Sequence, residues 1–303
     1  MTRTRYAADR GLTTRMTVTM FLLGLLYVVF VGVLIALGVR AVVVLLFAAG
    51  LLLVQFLLSD KIALFAMHGR VVSPQEAPEL HGVVDRLAAL ANMPKPKVAV
   101  ADSDVPNAFA TGRGQKTSVV CVTTGLLRRL EPAELEGVLS HEMSHIAHRD
   151  VAVMTIASFL GIVAGLMTRV ALYTGLGRGR GDRNALPVGL IILLVSALVY
   201  AVSFLLTRAL SRYRELAADR AGALLTQRPS ALASALVKVS GEMARIPTRD
   251  LREAEPFNAF YFAPALSGGR GGVGLAALFA THPPLERRLD QLRRISAELG
   301  RGV

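Results

Sequence analysis

The sequence predicts a mainly α-helical, multi-pass membrane protein with about four transmembrane helices and a water-exposed α+β domain. Two observations predict it. Hydrophobic residues make up 53% of the 303 residues and charged ones only 18%, too little polar surface for a chain wholly in water. The apolar excess is also gathered into long uncharged runs, with ordinary soluble patterning between them.

The first run, Thr17 to Gly38, follows a short segment holding Arg3, Arg5, Arg10 and Arg15 against one acid, Asp9. As a helix rising 1.5 Å per residue it is long enough to cross a hydrocarbon core of about 30 Å. A signal peptide would have a shorter apolar centre and a polar sequence after it. Here only Val39 and Arg40 precede a second run, Ala41 to Leu58, so residues 1–58 read as a tail and a transmembrane hairpin.

Residues 59–150 read as the first part of a globular domain. Ser73-Pro74-Gln75-Glu76 combines an N-cap, a proline at the first helical position and a capping-box Glu. Leu80, Val83, Val84 and Leu87 follow at helical spacing, then strand-like runs at Lys97–Ala101 and Ser118–Thr123. A second helix is expected from Glu131-Pro132. Residues 151–206 hold the third and fourth runs, Val151–Thr168 and Pro187–Leu206, joined by a loop with Arg178, Arg180 and Arg183. Residues 207–303 read as the second part of the globular domain.

Several function classes lose ground on composition. The net charge of +12 comes from arginines spread along the chain, many of them flanking apolar runs, with no basic-aromatic module. Membrane flanks explain it, and no nucleic-acid partner is expected. Cys121 is the sole cysteine, so no internal disulfide is possible. Its setting, Val119-Val120-Cys121-Val122, reads as a buried apolar position, not a nucleophile. The glycine-rich stretch Ser267–Gly274 lacks the Gly-Lys-Ser/Thr ending of a phosphate loop and reads as a surface loop.

The chemistry is carried by His141-Glu142-Met143-Ser144-His145. Imidazoles at i and i+4 share one helical face and can reach one tetrahedral Zn²⁺, with Glu142 beside them to take a proton from a metal-activated water. Leu135, Val138, Leu139 and Ile146 give that helix apolar support. A third ligand is offered by Ser211-Arg212-Tyr213-Arg214-Glu215-Leu216-Ala217-Ala218-Asp219. Glu215 can coordinate, and Asp219 can accept a hydrogen bond from the second nitrogen of a ligating His. The alternative for Glu215 is an exposed helical acid paired with Arg212, Arg214 or Arg220. A metzincin arrangement is excluded, because it needs Gly and His where the chain has His148 and Val151.

His148 reads as a helix C-terminal residue favoured by the dipole. His282 opens His282-Pro283-Pro284-Leu285-Glu286-Arg287-Arg288, just before a helix, where it could hydrogen-bond an oxyanion. A helix N-terminal motif without catalytic part explains it equally well. Asp150 is followed at once by Val151, so the motif helix is expected to run close to the third apolar run.

Asn107-Ala108-Phe109-Ala110-Thr111-Gly112-Arg113, Thr123-Thr124-Gly125-Leu126-Leu127, His141–His145, Ser211–Asp219 and Thr281–Pro284 occur in one order with the apolar runs. Together they resemble the HtpX-type membrane zinc metalloproteases, relatives of the CAAX prenyl proteases, over nearly the whole chain. The resemblance implies a zincin-type domain holding one Zn²⁺ per chain, with Glu215 as third ligand and Asp219 as its supporting carboxylate. It implies that Asn107, Ala108, Phe109 and Ala110 form an edge strand pairing with extended substrate. It also implies that His282 and Arg288 face the cleft near the scissile carbonyl. The implied role is quality-control cleavage of membrane or misfolded proteins, with the catalytic domain on the cytoplasmic side of the cell membrane. The rival readings are a zinc-binding membrane scaffold without activity, which has no use for Glu142, and a basic membrane protein binding anionic lipid or nucleic acid.

Overall fold

The computed structural model describes residues 10–36, 59–175, 185–243 and 282–300, with scattered positions between 46 and 57. Most of the second apolar run, the arginines at 178, 180 and 183, the stretch 267–274 and Thr281 lie outside the described residues. The chain divides into two units, one of Met1–Thr13, Leu57–Ala152 and Ser211–Val303, the other of Thr14–Phe56 and Val153–Leu210.

The second unit is helical in its described residues. It takes most of α1 (Arg10–Ala36) and of α6 (Asp150–Gly175), and the first part of α7 (Ala185–Thr226). Three helices among the described residues are long and apolar enough to cross a membrane: Thr13–Ala36, Ala152–Arg169 and Leu190–Thr226. The expected count of four therefore meets three described helices, because the expected second span falls on residues that are not described. Phe30, Leu34, Val163, Ala164 and Val199 pack inward, while Phe21, Leu25, Val28, Leu190, Leu194 and Leu198 are exposed. Exposed large apolar side chains in such numbers suit lipid, not water. The expected boundary after Leu206 is not a break in the helix. Residues 207–226 contain no proline and are rich in Ala, Leu and Arg, so α7 continues without interruption to Thr226.

The first unit is a small mixed sheet packed with helices. After α2 (Ser59–Ala66) come β1 (Gly69–Val71), α3 (Pro78–Ala91), β2 (Lys97–Ala101), β3 (Ala108–Thr111) and β4 (Val119–Thr123). α4 (Thr124–Arg129), α5 (Pro132–Ala147), the end of α7, α8 (Pro229–Met243) and α9 (Leu285–Glu298) follow. The strand order is β1-β2-β4-β3, with β2 and β4 parallel and both outer pairs antiparallel. β4 is buried at every position, as expected of a central strand. Val84, Leu87, Val138, Leu139, Leu232 and Leu292 join α3, α5, α8 and α9 in one core.

One expectation fails here. The box at Ser73–Glu76 forms, with Ser73 N–H donating to Glu76 Oε2 at 2.7 Å, but it closes a turn, not a helix. The helix begins five residues on, at Pro78. A helix starting at Pro74 would place the Pro78 ring against the carbonyl of Pro74 and lack its N–H bond, so helical structure restarts at the second proline.

β3 is an edge strand that ends at Gly112, whose φ is +122°. A Cβ at that glycine would lie 2.6 Å from Ser118 Cα, so no other residue fits the turn into β4. Thr123 N–H donates to Asn107 O at 2.9 Å. Bonding directions alternate along an antiparallel pair, so the peptide groups of Ala108 and Ala110 point away from β4.

Candidate metal centre

α5 is built to hold its position firmly. Pro132 opens it, and Glu131 and Glu134 form a reciprocal capping box. Glu134 also accepts from Ser234 Oγ at 2.6 Å and Lys238 Nζ at 2.8 Å, which ties the start of α5 to α8. Leu139, Met143 and Ile146 are buried along one side of the helix, and the helical period places His141, Glu142 and His145 on the adjoining face, one and two turns beyond the buried Val138. α7 approaches that face at Gly222. A Cβ there would sit 3.0 Å from His141 N, and Ser140 Oγ donates to Gly222 O at 3.3 Å. A side chain at 222 would push α7 away from α5, and with it Glu215.

Three donor groups meet between these helices. His141 Nε2 and His145 Nε2 lie 3.2 Å apart, His141 Nε2 lies 3.6 Å from Glu215 Oε2, and His145 Nε2 lies 3.4 Å from Glu215 Oε1. A tetrahedral Zn²⁺ with bonds of about 2.0–2.1 Å sets its ligands about 3.3 Å apart, so these separations match the edges of one tetrahedron. All three residues are buried. Glu215 is thus not the exposed helical acid of the alternative reading; Arg214 turns to Asp150 and Arg220 to Glu298.

Each imidazole has a carboxylate at its other nitrogen. Asp150 Oδ2 lies 2.5 Å from His145 Nδ1, and Asp219 Oδ1 lies 2.9 Å from His141 Nδ1. Asp219 Oδ1 faces His141 and at the same time receives Arg288 Nη2 at 2.7 Å. A proton held at each Nδ1 would leave the Nε2 atom, the one facing Glu215, free to bind a metal. The field is negative: among the described residues, Glu142, Asp150, Glu215 and Asp219 stand with the two guanidiniums of Arg214 and Arg288, a formal charge of −2 with the histidines neutral. Burial alone would lower the pKa of His145, but Asp150 and Glu215 outweigh it and raise it to about 10. His141 is raised in the same way, against its burial, by Asp219 and Glu215. Asp150, despite burial, is held down at about 2 by Arg214 and His145. Such a pocket favours a compact dication.

A profile of peptidase family M48 matches residues 74–296, a span that includes the whole cluster. The chain belongs to this family. Among its relatives, Protease HtpX homolog 1 of Streptomyces coelicolor is 65% identical over 298 residues, covering 98% of this chain and 97% of that protein. Protease HtpX homolog of Moorella thermoacetica is 52% identical over 301 residues, 98% of each. The crystal structure of S. mikatae Ste24p shares the fold, with a TM-score of 0.55 at 18% identity, over 94% of this chain and 67% of that one. This M48 chain is therefore a metalloprotease of the HtpX type, with apolar helices suited to a membrane. Membership implies a bound metal, and the two-nitrogen, one-carboxylate donor set fits one.

The other residues singled out in the sequence fall around this M48 centre. Glu142 is buried, which raises its pKa, and its carboxylate accepts from the Ala110 backbone N–H on the edge of β3. His282 lies beside Glu215, with Nδ1 3.0 Å from Oε2; its buried Nε2 has no hydrogen-bond partner among the described residues. Arg288 is buried and binds Asp219 through two parallel bonds, Nε to Oδ2 and Nη2 to Oδ1, both 2.7 Å. Its Nη1 is 3.9 Å from Glu215 Oε2. Where the resemblance implies a cleft-facing residue, the structure places most of the guanidinium on Asp219. Asn107 is buried just before β3, and Ala108 and Phe109 are buried within it. Cys121 is buried, and burial pushes its thiol up to about 12, which disposes of a thiolate nucleophile.

Asp150 and Arg214 were not singled out by sequence reasoning. α5 stops at Ala147, and Arg149 takes a left-handed conformation, φ +58°, that returns Asp150 to His145. An acid five residues after the second His, next to a helix end, was the available signal.

Proposed function

We propose that the chain is a membrane-embedded, zinc-dependent endopeptidase that hydrolyses internal peptide bonds of membrane or misfolded proteins. The observation that carries this reading is the tetrahedral spacing of His141 Nε2, His145 Nε2 and the Glu215 carboxylate with Glu142 beside them. One Zn²⁺ per chain would be held by those three residues, leaving the fourth position open, which is the composition of a catalytic site. When bound, such an ion supplies Lewis acidity, polarising a carbonyl and lowering the pKa of water toward 7.

The chain's own residues supply the rest. Glu142 takes the proton of the attacking water at its carboxylate and passes it to the leaving amine nitrogen. The outward peptide groups of Ala108 and Ala110 offer backbone hydrogen bonds to an extended substrate, so recognition needs little side-chain identity. When substrate occupies the edge, the Ala110 N–H that Glu142 accepts becomes available to it. His282 presents Nε2 toward the developing oxyanion. Arg288 acts through Asp219, keeping that carboxylate ionised and oriented toward His141.

Chelation tests this reading. Purified protein stripped with 1,10-phenanthroline is expected to stop cleaving casein and to recover with about one equivalent of Zn²⁺. Cleavage that persists in metal-free protein would sink the zinc mechanism. A protein that holds zinc yet cleaves neither casein nor itself would be the non-catalytic scaffold instead.

For the membrane arrangement, the catalytic domain of residues 59–150 and 207–303 is placed on the cytoplasmic side of the cell membrane. The arginines before the first run and Lys61 after the hairpin favour that side. His145 and Glu215 share a side when the crossings between them are even in number, and full spanning by both runs puts the loop holding Arg178, Arg180 and Arg183 outside. That is against the positive-inside tendency, but uncharged runs of this length have little alternative to lipid. A cysteine placed at Gly179, in a Cys121→Ala background, is expected to react with an impermeant thiol reagent added to intact cells. Labelling only after lysis, with an external control site reacting normally, would replace the spanning pair with a re-entrant one.

A further inference from the structure

Resting on the metal reading above, we infer that Asp150, steadied by Arg214, is a positioning residue for His145 and so for metal affinity. Asp150 is the first residue of α6, is 3% exposed, and directs Oδ2 at His145 Nδ1, 2.5 Å away. Arg214, on α7, brings Nε to 3.1 Å from the same oxygen. One carboxylate oxygen therefore meets the imidazole and the guanidinium together. A ring with two equivalent-looking nitrogens can present either one, and a carboxylate at Nδ1 holds the proton there and aims Nε2 at the ion.

The arrangement parallels the one at His141, where Asp219 stands between the imidazole and Arg288. The two His–Asp–Arg series use different residues and reach different ligands. Asp219 has both oxygens bonded to its arginine. Asp150 does not: its Oδ1 is buried without a hydrogen-bond partner among the described residues. A buried carboxylate oxygen left in that condition costs stability. The hydrogen-bonding of Asp150 is thus directed through one oxygen, the one that meets both His145 and Arg214. Arg149 adds a second local cost, since a non-glycine residue at φ +58° is strained, and that conformation brings Asp150 back to His145.

The test is zinc affinity of the purified full-length protein in detergent, by competition with a chelator of known affinity. Asp150→Ala is expected to raise Kd by about 10–100-fold, and Asp150→Asn, which keeps an acceptor oxygen, to fall at the lower end of that range. Arg214→Leu is expected to weaken binding alone and to add little in the Asp150→Ala background, because it acts through the same carboxylate. Thermal unfolding separates affinity from fold, and if the alanine variant fails to fold, the near-isosteric Asn variant decides. The d–d spectrum of Co²⁺-loaded protein should shift in Asp150→Asn, which a purely structural role would not produce. His145→Ala is the reference. A folded Asp150 variant with Kd within about two-fold of the parent, while His145→Ala loses zinc, overturns this inference alone; zinc retained by His145→Ala overturns the metal reading beneath it.

Discussion

Glu142→Gln is expected to abolish peptide hydrolysis while leaving the fold and the bound metal in place. The substitution preserves shape and keeps an amide oxygen that can accept from the Ala110 N–H, so β3 and α5 lose no contact of consequence. What it removes is a basic group. The carboxylate is buried beside His141 and His145, and burial raises its pKa from the ordinary carboxylate range, which brings its proton affinity nearer to neutrality. A general base that also returns its proton to the leaving nitrogen serves both halves of the reaction, so its loss should exceed the roughly 10²–10⁴-fold typical of one proton transfer. The decrease should appear in kcat and kcat/KM alike, because the proton moves only in the transition state. Casein cleavage, self-cleavage and zinc content of the purified variant measure all three. Turnover near that of the parent protein would remove Glu142 from the mechanism; loss of zinc together with turnover would make it a structural member of the centre.

The parts of this site that were legible in the sequence are those set by short-range geometry. His141 and His145 converge because a helix turns once in four residues, and a capping box at Glu131–Glu134 begins that helix where expected. The capping box at Ser73 misled for an equally local reason, the second proline at 78. Longer-range features were less readable. Glu215 could be nominated from its spacing to Asp219, but its arrival at the imidazoles depends on α7 docking closely on α5, which Gly222 allows. No pattern in the sequence announces which glycine faces which helix. Arg288 and Asp219 lie far apart in the chain, so their pairing had to await the fold, and it gives Arg288 a carboxylate to hold beside Glu215. Asp150 was missed because a left-handed arginine, not a glycine, makes the turn that delivers it. The boundary at Leu206 is one of hydropathy alone, since the apolar run ends there while the helix continues to Thr226.

Glu215→Ala is expected to leave the protein with almost no zinc after desalting, and with no activity. Glu215 supplies the only carboxylate of the three-residue cluster, from a helix that neither histidine shares. Zinc sites with four protein ligands bind with about 10–16 kcal/mol, so one ligand contributes about 2.5–4 kcal/mol, or about 10²–10³-fold in Kd. The loss here should reach the upper end, because the substitution does more than delete one bond. It removes the negative charge that faces both Nε2 atoms, and it leaves His282 Nδ1 and Arg288 Nη1 directed at an empty corner. The Arg288 guanidinium would then face the metal position without the carboxylate between, which repels a dication. Glu215→Gln separates the contributions: it fills the same volume and keeps a carbonyl oxygen, so a loss as deep as that of alanine would assign the effect to charge. Metal analysis by mass spectrometry, normalised to folded protein, gives the answer directly. Retention of close to one equivalent by Glu215→Ala would mean that the third ligand lies elsewhere, and the tetrahedral spacing would then have no bearing on function.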